Sequence, residues 1–186
     1  MDWYSVVKFV HIVAAIGWLG GGMTMLISGV LARRDPDRMA VLRFMRTMNA
    51  LALPLFVPAS MTVLISGLTM AVLWVGFSAA WLVLALAGIA VSLGMGMGFI
   101  KPVGERIEAR VAKEGLSEAI VGDVDRLTRI GRFDYAIMIA IVALMVFKPS
   151  WQDTSLLFGL AIALAFAAAL FLIPRGGAAA PASAKA

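Results

Sequence analysis

The sequence predicts an all-α fold, a polytopic transmembrane bundle of five spanning helices with its N-terminus outside and its C-terminus in the cytoplasm. Three observations predict it. Hydrophobic residues make up 62% of the 186 and charged residues only 15%, and the mean hydropathy of +0.95 leaves too little polar surface to coat a soluble domain of this size. Apolar runs recur between charged or Pro/Gly-marked stretches, and at about 20 residues per span the length admits four or five spans and no large soluble domain. Lysine and arginine, finally, are concentrated in alternate connections.

The first span, residues 5–32, takes in the run Phe9–Ala32 and stops at Arg33–Arg34. Mixed charge before the run, and its length, are unlike a cleaved signal peptide, so a retained helix is expected. Asp35 then reads as a cap with Pro36 at the first helical position. That helix carries Arg38, Arg43 and Arg46 into span two, 47–74. Pro54 and Pro58 each lack an amide donor, which predicts a kink or local unwinding, tolerable only where the backbone is packed against protein or water. Span three, 78–100, stops at Lys101–Pro102. Segment 103–130 places Val103, Ile107 and Val111, then Leu116, Ile120, Leu127 and Ile130, at helical spacing. It predicts two amphipathic pieces, parted at Gly115, on the cytoplasmic membrane surface.

Span four, 131–149, has just 13 uninterrupted apolar residues, Tyr135–Phe147. It needs Arg132 and Asp134 to snorkel at its inner end, and a re-entrant run is the alternative. Span five, 156–173, completes a single domain, 1–173, and the small-residue tail 174–186 is expected to be disordered.

Fourteen of the sixteen lysines and arginines follow spans one, three and five, leaving Lys8 and Lys148 on the other side. The positive-inside rule turns this split into the orientation given above, in a bacterial inner membrane. The net charge of +5 follows from the same asymmetry. It implicates a lipid bilayer with anionic headgroups as partner, and not nucleic acid. The absence of cysteine excludes disulfides, thiolate haem ligands and cysteine-bound clusters.

His11 is the only histidine. Offsets of about four, seven, eleven and eighteen residues return to one helix face, which from His11 means Ala15, Trp18, Gly22 and Gly29, with Met25 alongside. In lipid a face of small and polar residues turns towards neighbouring helices. His11 is therefore expected inside the bundle, either hydrogen-bonded to a carbonyl or hydroxyl of the next helix, or ligating haem or copper. Met70 and Met145 share its depth; Met23 and Met25, roughly 18–21 Å deeper by helix rise, do not. Gly88, Ser92 and Gly96 form a ladder that permits close helix approach, and its bareness would also admit a flat macrocycle. Trp74, Trp81 and Trp151 read as an interfacial belt. There is no intramembrane acid pair, serine–histidine–acid set or phosphate loop, so hydrolysis and nucleotide chemistry find no support.

The stretch KFVHIVAAIGWLGG, Lys8–Gly21, together with RLTRIGRFD…MVFKP between Arg126 and Pro149, resembles the bacterial predicted integral membrane proteins grouped as domain of unknown function 2269, over roughly residues 3–149. The K-x-x-H…W-x-G-G opening also resembles the HemJ-type membrane protoporphyrinogen oxidases and the CopD-type copper-resistance proteins. Those resemblances imply a metal- or haem-ligating His11 with Trp18 beside the site. This chain is longer than the four-helix HemJ type, and it has one histidine where a CopD-like copper path has more.

The leading expectation is thus a b-type haem-binding redox protein with its site near the outer leaflet. His11 is the axial ligand there and Trp18 and Gly22 line the site; the haem is five-coordinate, takes Met70 or Met145 or another weak second ligand, or is shared across a dimer, and a second copy or a membrane redox protein is the partner. The alternative is a structural or accessory membrane protein without cofactor, in which His11 bridges helices. A transporter ranks third, resting on the Pro54/Pro58 break alone.

Overall fold

Asp2 opens the first helix. Its carboxylate accepts hydrogen bonds from the Tyr4 amide at 3.1 Å and the Ser5 hydroxyl at 2.8 Å, and α1 runs unbroken over Trp3–Arg34. The computed structural model describes residues 2–37, 39–115 and 117–173; Arg38, Leu116 and the tail expectation for 174–186 lie outside the described residues.

Asp35 does not cap the next helix as the sequence suggested. α1 stays helical through Arg33 and Arg34, whose charges suit a helix C-terminus, and the Asp35 amide closes it on Leu31. The capping role passes to Asp37, whose carboxylate accepts the Met39 amide at 2.9 Å as α2, Met39–Leu51, begins. The backbone then widens into a π-helical turn over Ala52–Phe56. Pro54 accounts for it, since a residue without an amide proton cannot close the α-helical ladder. α3, Val57–Met70, follows, and a second π turn, Ala71–Val75, ends the rod at Gly76, whose φ of 79° demands glycine.

A third π turn, Gly96–Ile100, joins α4, Ala80–Met95, to α5, Lys101–Glu114. After Gly115, α6 starts at the Ser117 cap and runs over Glu118–Phe147. The two amphipathic pieces of segment 103–130 are therefore continuations of spans three and four. They stay with the rods because their apolar faces meet each other: Ile107, Ile120, Val124 and Leu127 share one core cluster. The apolar run assigned to span four is correspondingly part of a 30-residue helix. α7, Thr154–Leu172, completes the chain. Among the described residues, five helical stretches are long and apolar enough to cross a membrane, Trp3–Arg34, Pro54–Val75, Ala80–Glu114, Glu118–Phe147 and Thr154–Leu172.

The core has two parts. Trp18, Val63, Ala85, Ile89, Ile137, Met138, Ile141 and Leu144 join α1, α3, α4 and α6. Met25, Phe44, Met45, Ile107, Ile120, Val124 and Leu127 join α1, α2, α5 and α6. The residues α1 buries are Trp18, Met25 and Gly29, the small-residue face read from the sequence. A methyl on Gly29 would stand 2.9 Å from Phe44, and one on Gly88 would stand 2.8 Å from Ile141. α7 packs on the first cluster through Leu160 and Leu164 only at its margin. Its Phe158, Ile162 and Phe166 are 67–68% exposed, as expected of a peripheral helix facing acyl chains.

The bundle has two unlike ends. At one, Tyr4 meets Trp74 edge-on with ring centroids 5.4 Å apart, the Trp151 indole donates to the Ser78 carbonyl at 3.2 Å, and Lys148 sits 5.5 Å from the Trp81 ring centroid. At the other, Arg33 pairs with Asp125 at 3.1 Å and Arg110 with Asp123 at 2.6 Å.

Candidate functional site

His11 faces α3 near the aromatic end, with its Nδ1 3.0 Å from Ser66 Oγ. Ser66 Oγ also lies within reach of the Thr62 and Val63 carbonyls of its own helix, and the Val63 carbonyl is a second partner for the His11 ring. Which of His11 and Ser66 donates to the other depends on the imidazole tautomer. Gly67 makes the approach possible, since a Cβ there would stand 3.2 Å from the imidazole Cε1. The arrangement is an interhelical clamp between α1 and α3.

A cavity lies further along the bundle. It has a volume of about 210 Å³ and is enclosed by α1, the α2–α3 rod, the α4–α5 rod and α6. Trp18, Gly22 and Met25 line it from α1; Ser60 from α3; Ser92, Gly96 and Lys101 from the third rod; and Asp134, Tyr135 and Met138 from α6. Its walls are apolar and methionine-rich, with the thioethers of Met25, Met45, Met48, Met97 and Met138 on the lining. Unbranched, polarizable side chains of this kind adapt to occupants of different shape. Two of the three π turns border the cavity, through Phe56 on one side and Gly96, Met97 and Ile100 on the other. Single-turn π segments recur at functional sites because they break the side-chain register of a helix.

One polar group stands out. Asp134 Oδ1 is buried and has no hydrogen-bond partner among the described residues, while the neighbouring Ser92 hydroxyl bonds to the same carboxyl group. An acceptor left unsatisfied in such a place costs about 1–3 kcal/mol. The sequence suggested a snorkelling or surface-paired Asp134 at a helix end. That expectation fails because α6 begins sixteen residues earlier, at Glu118, and Asp134 lies mid-helix against the cavity. Near it, Lys101 reaches Glu105 at a long 3.9 Å, and Asn49 donates to Glu108 at 2.6 Å.

Of the five residues expected around a haem, the cavity gathers Trp18 and Gly22. His11, Met70 and Met145 border neither it nor the second groove described below. The arrangement lends no support to a haem held by His11, Trp18 and Gly22 together. The ligand nitrogen exists, but the space lined by Trp18 begins seven residues further along α1, ~10 Å by helix rise. Among the described residues no three His, Cys, Asp or Glu side chains converge as a metal site. Sequence reasoning missed Asp134, Ser60 and Asn49. The available signal was the default that an acid inside a span marks a site.

Five apolar rods among the described residues, glycine-mediated contacts and a largely apolar cavity between the helices define a polytopic helical membrane protein. Over residues 5–149 the chain matches the predicted integral membrane proteins of the DUF2269 family, and it belongs to that family. The match covers α1 to α6 and stops before α7. No curated protein and no solved structure matches it.

Proposed function

We infer that this chain is a membrane-embedded binding protein that takes a small amphiphile into the Asp134 cavity, with His11 serving as a helix clamp and not as an iron ligand. The observation that carries this reading is a carboxyl group, Asp134, on the lining of a methionine-rich space with its buried Oδ1 unpartnered among the described residues. Such a site matches an occupant with an apolar body and one N–H or O–H donor. An ammonium head suits it best, because it satisfies the acceptor and offsets a carboxylate charge in a low-dielectric place. The volume, below the range of drug-sized pockets, favours a short chain or a single ring over a macrocycle.

The test uses the full chain purified in detergent, challenged with alkylamines, alkanols and alkylsulfonates of equal chain length. Amines are expected to raise the thermal midpoint most, and Asp134→Asn to weaken that response at least tenfold. Equal responses from all three head groups would contradict the reading. An absorbance spectrum of protein from haem-replete cells serves as the cross-check: a Soret band abolished by His11→Ala would restore the haem reading in its place.

A further inference from the structure

A second space lies on the outside of the bundle, parted from the cavity by Leu26 and Tyr135, which line both. α1, α6 and α7 enclose an open groove of about 660 Å³. Its length is apolar: Leu26, Ile27, Val30 and Leu31 of α1 face Ala136 of α6 and Phe171 of α7. Its end is cationic, with Arg34 and Arg132 both on the lining.

Those two guanidinium groups, like Arg46, Arg106, Arg126 and Arg129 but unlike three others, have no carboxylate partner among the described residues; Arg34 and Arg132 alone among them line the groove. Arg33 is paired with Asp125, Arg43 with Asp37, and Arg110 with Asp123. Arg34 and Arg132 have neither an ion pair nor a hydrogen bond among the described residues. The carboxylate nearest Arg132 in sequence, Asp134, borders the cavity and not the groove. Two uncompensated charges thus lie at the mouth of a trough whose α1 wall, Ile27 and Leu31, is 53% and 61% exposed. Arginine forks bind phosphate oxygens in pairs, and basic pockets between spanning helices suit phospholipid headgroups.

We propose that this groove is a binding site for one anionic glycerophospholipid, its phosphate held by Arg34 and Arg132 and an acyl chain laid along Leu26–Leu31 and Phe171. Charge complementarity selects an anionic over a zwitterionic lipid. The apolar trough selects a lipid over a free phosphate, which would leave it unfilled.

The test is native mass spectrometry of the full chain released from detergent, after incubation with phosphatidylglycerol, with phosphatidylcholine of the same acyl chains, or with inorganic phosphate. Phosphatidylglycerol adducts are expected to survive activation that strips phosphatidylcholine. Arg34→Gln with Arg132→Gln should lower their retention at least tenfold, while Arg46→Gln, outside the groove, leaves it unchanged. Should the double variant not accumulate, either single variant gives the same reading with a smaller loss. Equal retention of both lipids, a preference untouched by the groove variants, or displacement of the lipid by millimolar phosphate would overturn the proposal.

Discussion

The two ends of this bundle use polar residues inside the membrane in opposite ways. Towards the aromatic end, His11 is closed off. One ring nitrogen is committed to Ser66, and Gly67 brings the α3 backbone against the ring edge. Towards the arginine end, Asp134 is left incomplete, with one buried carboxyl oxygen unpartnered among the described residues and the residue itself on the lining of a cavity. A satisfied intramembrane polar group holds helices together; an unsatisfied one that survives in the fold is the better candidate for meeting something else. The residue type that draws the eye in the sequence is thus the structural one, and the carboxylate that looked like a surface anchor borders the site.

The largest effect expected from breaking this contrast comes from adding bulk at matched glycines. Gly67→Leu drives a side chain into the imidazole and should destabilise by about 1–3 kcal/mol, the usual cost of overpacking, read as a clear fall in the thermal midpoint in detergent. Gly96→Leu meets nothing within 4 Å. It should leave the midpoint unchanged or raise it, while abolishing any ligand response of the cavity it fills.

Next in size is the clamp itself. Ser66→Ala removes the side-chain link between α1 and α3 and should cost about 0.5–1.5 kcal/mol, the net worth of one such hydrogen bond. His11→Gln keeps a hydrogen-bonding group and should cost less, and the double variant should show coupling of at least about 0.5 kcal/mol. Additive losses in that thermal-denaturation cycle would mean that the two residues do not act together.

The smallest effect belongs to the link between the first two helices. The Met39 amide, and after it the Arg43 guanidinium, hold the Asp37 carboxyl below the usual carboxylate range. A folded-state value depressed in this way gives stability that is full above the unfolded value and fades as pH falls through the folded one. Asp37→Asn should therefore matter slightly at neutral pH and not at all near pH 2, measured as the difference in midpoint from wild type at each pH.

Much of the architecture was legible because lipid makes composition nearly decisive. Five apolar stretches and the buried face Trp18, Met25 and Gly29 could be read before any coordinates. The break at Pro54 was legible too, since a missing amide proton has a local consequence. The course of segment 103–130 was not: whether an amphipathic helix lies on a membrane or extends a rod depends on which partner covers its apolar face, and Ile107 and Ile120 cover each other. The site was hidden for a related reason. Asp134 stands two residues from Arg132, and only the helix running back to Glu118 shows that it is not at an end. In the same way, the Gly88–Ser92–Gly96 ladder divides its duties. Gly88 packs on Ile141, whereas Gly96 opens onto the cavity.

The most direct measurement is alkylamine binding to the wild type, Asp134→Asn and His11→Gln, followed in parallel by calorimetric titration in detergent. The account predicts that affinity falls at least tenfold in Asp134→Asn and stays within a factor of two in His11→Gln. Affinity lost with the imidazole and kept without the carboxylate would put the functional space at the aromatic end and contradict it.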